Sequence, residues 1–221
     1  MAYTNLSKGE TKFHDMMSVN GFGIVTVMNA SIYELPTTAF SKQTAAQVVA
    51  AAAATDPICT LDTLKVANVT IEGPNKTVTG GRYSNPLIKF GKSARLEMQD
   101  ALGNSKAIEA LCGGVQEWSD KVDGTLTGLH FGEDFCSPKM IIGDTFFIDR
   151  TTGQQVKVKI VFYQFLPDAI FNLTQDAEGD ATVFDMNGDL LTTEILVGTA
   201  DGNQELHGVF YSIVEPAKAS E

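Results

Sequence analysis

Imidazole and thiol groups are scarce in this chain: 221 residues carry three histidines and three cysteines. Cys59, Cys112 and Cys136 are odd in number and widely spaced, and no Cys-x-x-Cys occurs. That pattern supports neither a disulfide framework nor a paired-cysteine zinc site, and thiols in a reducing cytoplasm are the expected state. His14, His130 and His207 are scattered, without His-x-x-x-His or Gly-x-Ser-x-Gly beside them, so no catalytic residue, metal ligand or cofactor site is expected. Long apolar runs are missing too. The segment Phe22–Met28 is too short to export or span, and the N-terminus MAYTNLSKGETKF is polar. The sequons Asn29–Ser31 and Asn172–Thr174 therefore have no glycosylation context.

Basic side chains are in deficit: 16 Lys and Arg stand against 27 Asp and Glu, a net charge of −11. The excess sits late in the chain. Residues 1–60 sum to −1, residues 61–100 to +2 and residues 101–221 to −12. This argues against a protein that grips nucleic acid through its phosphates. An acidic half is either a solvated surface or one suited to repelling a polyanion. With 43% hydrophobic residues the chain has enough apolar material for a substantial core.

What the chain does contain is strand after strand. From Gly143 to Leu191 apolar runs alternate with the turn signals TTG, LPD, EGD and NGD, the spacing of an antiparallel meander. Strands are expected over Gly21–Leu35, Leu64–Glu72, the alternating stretch around Ala94, Leu96 and Met98, Thr125–Cys136, Met140–Asp149, Gln155–Phe165, Ala169–Gln175, Ala181–Met186 and Leu206–Val214. The last is apolar on both faces and reads as one central or helix-covered strand. Asn104–Cys112, stopped by Gly113-Gly114, reads as a short helix that plugs one side of the sheet. Ser41–Thr55 is alanine-rich, a helix or an inserted loop, with side chains too small for a core stripe. It reads as an excursion that touches something other than the β framework. The organisation expected is an N-terminal arm (1–20), one β-sandwich domain (21–215) with an insertion at about 36–60, and a C-terminal tail (216–221).

Three motifs suggest chemistry and each has a plainer reading. Pro86–Ser93 (PLIKFGKS) lacks the first glycine of a phosphate loop, and a strand is expected to follow it, so Gly91 reads as a bulge or turn. Asp185–Asp189 (DMNGD) resembles the start of a calcium loop, but the glycine is misplaced and Leu196 stands where a glutamate is needed, so it reads as a turn. Lys76, Arg82, Lys89, Lys92 and Arg95 follow one another with no acid between Lys76 and Arg95. These five are candidate contacts to an acidic surface of another subunit; the alternative is a solvated edge whose lysines block stray strand pairing. Trp118 and the phenylalanines read as core.

The run Gly73–Gly103 (GPNKTVTGGRYSNPLIKFGKSARLEMQDALG), the helix ending at Cys112-Gly113-Gly114, and the run from Gly143 to Leu191 resemble major tail proteins, or tail tube proteins, of long-tailed bacteriophages. The likeness covers roughly residues 73–214 and rests on framework and turn patterns. Ser41–Thr55 has no counterpart in it. The resemblance implies an antiparallel β-sandwich or barrel with a flanking helix, joining into a ring β-barrel on oligomerisation. Six copies would form a ring and rings would stack into a tube that carries DNA without binding it specifically. It further implies a non-enzymatic virion protein, assembled in the host cytoplasm, whose partners are copies of itself, a tape measure, a tail terminator and a tail tip or baseplate, and no membrane. Two other readings stand beside it: the inner tube of a contractile injection or secretion device, and an unrelated β-barrel enzyme or ligand-binding module.

Overall fold

The computed structural model describes residues 13, 16, 22–62, 64–73, 75–77, 87–89, 91–100, 105–120, 124–132, 136–168, 184–199 and 202–215. The expected strand at Ala169–Gln175, the sequon at Asn172, His14, most of the N-terminal arm and the C-terminal tail lie outside them. In chain order the elements are β1 (Phe22–Tyr33), α1 (Ala45–Ala53), β2 (Cys59–Leu61), β3 (Leu64–Glu72), β4 (Asn75–Thr77), β5 (Leu87–Lys89), β6 (Ser93–Asp100), α2 (Ser105–Cys112), β7 (Gly114–Trp118), β8 (Leu126–Phe131), β9 (Lys139–Asp149), β10 (Gln155–Pro167), β11 (Phe184–Leu190), β12 (Thr193–Thr199), β13 (Gly202–Val209) and β14 (Tyr211–Val214).

Eight strands form one sheet in the order β2-β1-β9-β10-β11-β6-β3, with β14 also on β10. Every ladder in it is antiparallel. The β9–β10 hairpin is closed by Asp149, whose buried carboxylate accepts the Thr151 and Thr152 amides at 2.7 and 2.9 Å, and by Gly153 at φ +71°. The Thr-Thr-Gly turn signal is thus met. Strand β10 is where the sheet changes direction. Its far edge is shared, residues 159–162 pairing with β14 and 165–167 with β11. Its ladder to β9 is irregular between Phe162 and Phe165. A strand that changes partner at an irregularity lets a sheet turn a corner. Strands β11, β6 and β3 accordingly fold over the other half, and β3 comes near β1. The sheet stays open, because its order ends at β2 and β3 without a ladder between them. The result is a sandwich rather than a closed barrel.

The largest core lies between the two halves of the sheet. Ile32, Leu61 and Ile141 from one half meet Leu96, Met98 and Leu190 from the other, and Ala107 and Leu111 of α2 plug the side. The period-two pattern of β6 is realised: Ala94, Leu96 and Met98 are buried while Ser93 and Glu97 are exposed. Met16 and Phe147 pack on Val158 farther along.

A second core lies on the opposite face of β9 and β10, and here the structure corrects the sequence reading of Ser41–Thr55. Thr44 opens α1 with a capping box: its hydroxyl accepts the Gln47 amide, and Gln47 returns a bond to the Thr44 amide at 2.8 Å. Val48, Val49 and Ala52 are buried against Met140, Ile142, Val161 and Tyr163. Two valines and an alanine suffice because the facing strands supply the bulk, and each buried valine contributes roughly 1.5–3 kcal/mol. The excursion therefore roofs its own sheet. Strands β9 and β10 are apolar on both faces because both faces are covered from within the chain.

Three other expectations change. Leu206–Val214 is two strands in different sheets, parted at Phe210, with Gly208 left-handed at φ +72° shortly before it. Its first part, in β13, is exposed and pairs with β12, whose Ile195 is buried in the second core. Among the described residues Thr125–Cys136 yields β8, paired with β7 in a projecting hairpin. Trp118 sits there with 49% of its surface exposed, because among the described strands β7 pairs with β8 alone.

Candidate functional site

Among the described residues no helix roofs the outward face of β3, β6 and β11. Its register lines up Thr70, Arg95 and Asp189 in one row, Asn68, Glu97 and Asn187 in the next, and Gln99 beside Asp185 in a third. Alternation sends the partners of these residues inward to the core, so the polar set follows from period two alone. Glu72, at the end of β3, adds a further exposed carboxylate opposite Ser93.

Arg95 is the centre of this face. Its guanidinium bonds to Asp168 at the end of β10, lies 3.5 Å from Asp189 and stands 3.8 Å from Glu97. The hydrogen bond to Asp168 is the largest cause of its raised pKa. Gln99 donates to Asp185 at 2.8 Å. Three carboxylates, those of Glu97, Asp168 and Asp189, therefore surround one guanidinium; with Glu72 and Asp185 on the same strands, the face is acidic. Asp185–Asp189 is not a turn. It runs straight through β11 in register with Gln99 to Arg95. The glycine in it serves a close approach: a Cβ on Gly188 would collide with the Phe165 ring and the Leu166 carbonyl.

Four of the five basic residues singled out in the sequence are among the described residues. Lys76 and Lys89 lie on the small β4–β5 hairpin, in rungs with Ile88 and Asn75 respectively. Lys92 is exposed on the connection into β6, and Gly91 beside it is in open space. Arg95 is held by acids of its own chain, and Arg82 lies outside the described residues. A strand, not a helix, follows Gly91-Lys92.

The sheet also has an edge. Strand β3 pairs with β6 on one side and ends the sheet order on the other. Val69 and Ile71 on it are 37% and 43% exposed. Beside them a cleft of about 260 Å³ enters the sandwich, lined by Leu64, Leu96, Ile160, Phe162 and Tyr211 among others. Among the described residues its wall carries neither histidine nor cysteine; its acid, Asp144, is held by Lys159 at 2.8 Å. His130 and His207 lie on the β7–β8 and β12–β13 hairpins, paired with Glu117 at 2.9 Å and Glu194 at 2.7 Å. Among the described residues no helix is long and apolar enough to cross a membrane.

No protein-family model matches the chain, and no curated protein matches it.

Proposed function

We propose that the chain is a structural subunit of a bacteriophage tail tube, without catalytic activity, that assembles with copies of itself into stacked rings around a DNA conduit. One observation carries the reading. Among the described residues the β3–β6–β11 face is unroofed and acidic, and it ends on a strand with an open ladder and exposed apolar side chains. Open edges are ordinarily blunted by charge or covered. An edge bearing Val69 and Ile71 suits pairing with a second copy. Head-to-tail pairing of that kind closes into a ring when the rotation permits. The adjoining carboxylates then face a common lumen, where they repel phosphate and let DNA slide. Six copies per ring, a tape measure, a terminator and a tip or baseplate belong to the same reading. So does a virion location, after assembly in the host cytoplasm.

Electron microscopy of the purified chain tests it. Rings or tubes are the expected result. A protein that remains monomeric at high concentration and beside a tail-tip initiator overturns the proposal.

A further inference from the structure

Cys112 ends α2, and Cys136 lies just ahead of β9. Between them runs the β7–β8 hairpin, whose first rung pairs Gly114 with Phe131. The two cysteines thus stand at the neck of one projecting hairpin, on the two chains that enter and leave it. Gly113, left-handed at φ +72°, directs its amide to Cys136 Sγ. That nitrogen is two bonds from the Cα of Cys112, about 2.4 Å away. The sulfur of Cys136 therefore lies beside the peptide that follows Cys112, and the two thiols are close enough for charge on one to act on the other. Both side chains are half-buried, so a small reagent has a route to them.

From this geometry we infer that Cys112 and Cys136 are a dithiol pair, which a low-molecular-weight disulfide converts into an intramolecular cystine that ties the hairpin neck to the start of β9. The exchange is balanced. Cys136 thiolate attacks one sulfur of the reagent, which releases half of it as a thiolate. Cys112 thiolate then attacks Cys136 Sγ and releases the other half. Two protein thiols are oxidised, one small disulfide becomes two thiols, and the two protons leave with them. Burial, and secondarily Cys136 itself, pushes Cys112 up to about 11. Cys136 is raised by burial but lowered by the Gly113 amide and by Lys139. Attack begins at Cys136 for that reason, and the rate climbs with pH. The inference does not depend on ring assembly.

The test uses the full folded chain with oxidised glutathione at mildly alkaline pH, followed by acid quench, denaturation, alkylation and peptide mass mapping. The expected map shows Cys112 linked to Cys136 within a monomer and Cys59 alkylated. Cys136→Ser and Cys112→Ser each lose the link and keep glutathione on the remaining neck cysteine. A link through Cys59, glutathione on both neck cysteines without a link, or no reaction in the folded chain overturns the inference. The wild-type map decides alone if a variant fails to fold.

Discussion

Gly188 lies directly under the ring of Phe165: a Cβ on the glycine would stand 2.7 Å from Phe165 Cε2. Strand β11 crosses β10 at this point, where Pro167 pairs with Gly188. Gly188→Ala is expected to lower stability by about 1–3 kcal/mol, as overpacking does. Urea unfolding measures it. Phe165→Leu in the Gly188→Ala background should recover part of the loss, because the two sites are coupled by the contact. Simple additivity of the two losses would place the collision at the Leu166 carbonyl rather than the ring.

Removing the hydroxyl that opens α1 should loosen the roof over β9 and β10. Thr44→Ala is expected to lose about 1 kcal/mol, and Thr44→Ser to lose little, since serine also caps. Denaturant midpoints of the two variants distinguish a lost cap from lost methyl packing.

Stability should fall in alkali because of the buried thiols. Burial raises Cys59 from 9.0 to about 11, and Cys112 likewise. A folded-state pKa above the unfolded one means that the contribution is whole below pH 9.0 and is lost as pH rises through about 11. Cys59→Ala should flatten this slope in melts recorded across that window. An unchanged slope would show that Cys59 carries none of it.

Arg95 offsets the repulsion of the acids around it. Arg95→Ala is expected to lower stability by about 1 kcal/mol or less, given the exposure of the network. Added salt should shrink the loss. Lysine should restore only part of it, because a point charge cannot reach several carboxylates as the guanidinium fork does. Denaturation at low and high ionic strength separates these effects.

Charge on the open edge should block assembly while sparing the fold. Ile71→Lys is expected to leave the circular dichroism spectrum and melting temperature near wild type, since that side chain is already exposed. The same variant should form no rings under the microscope. Rings of normal size would move the interface away from β3.

The sheet was legible wherever one face is wet. Ala94, Leu96 and Met98 alternate with polar neighbours, and the structure buries those three. The β9–β10 hairpin announced itself through long apolar strands around Thr-Thr-Gly. Legibility failed where a residue had a purpose that a local pattern does not encode. Asn-Gly-Asp is a turn signal, yet Gly188 is needed for closeness to Phe165. Ser41–Thr55 has small side chains, yet its neighbours across the interface are large. The acidic face was hidden because Asp168 and Asp189 stand 73 and 94 residues from Arg95 in sequence. Trp118 was expected inside because aromatic size predicts burial, but its strand belongs to a two-stranded hairpin that leaves it half exposed.

The long ladder between β1 and β9 sets an order of events in synthesis. Phe22 pairs with Asp149 and Tyr33 with Met140, across more than a hundred residues of intervening chain. As the chain leaves the ribosome, β1 emerges early and waits for its partner. The β9–β10 hairpin forms from local contacts and offers the template on which β1 settles later. Until then an apolar strand near the N-terminus is open to any other edge it meets. Translation speed across residues 34–139 therefore bears on yield and on misassembly between nascent copies.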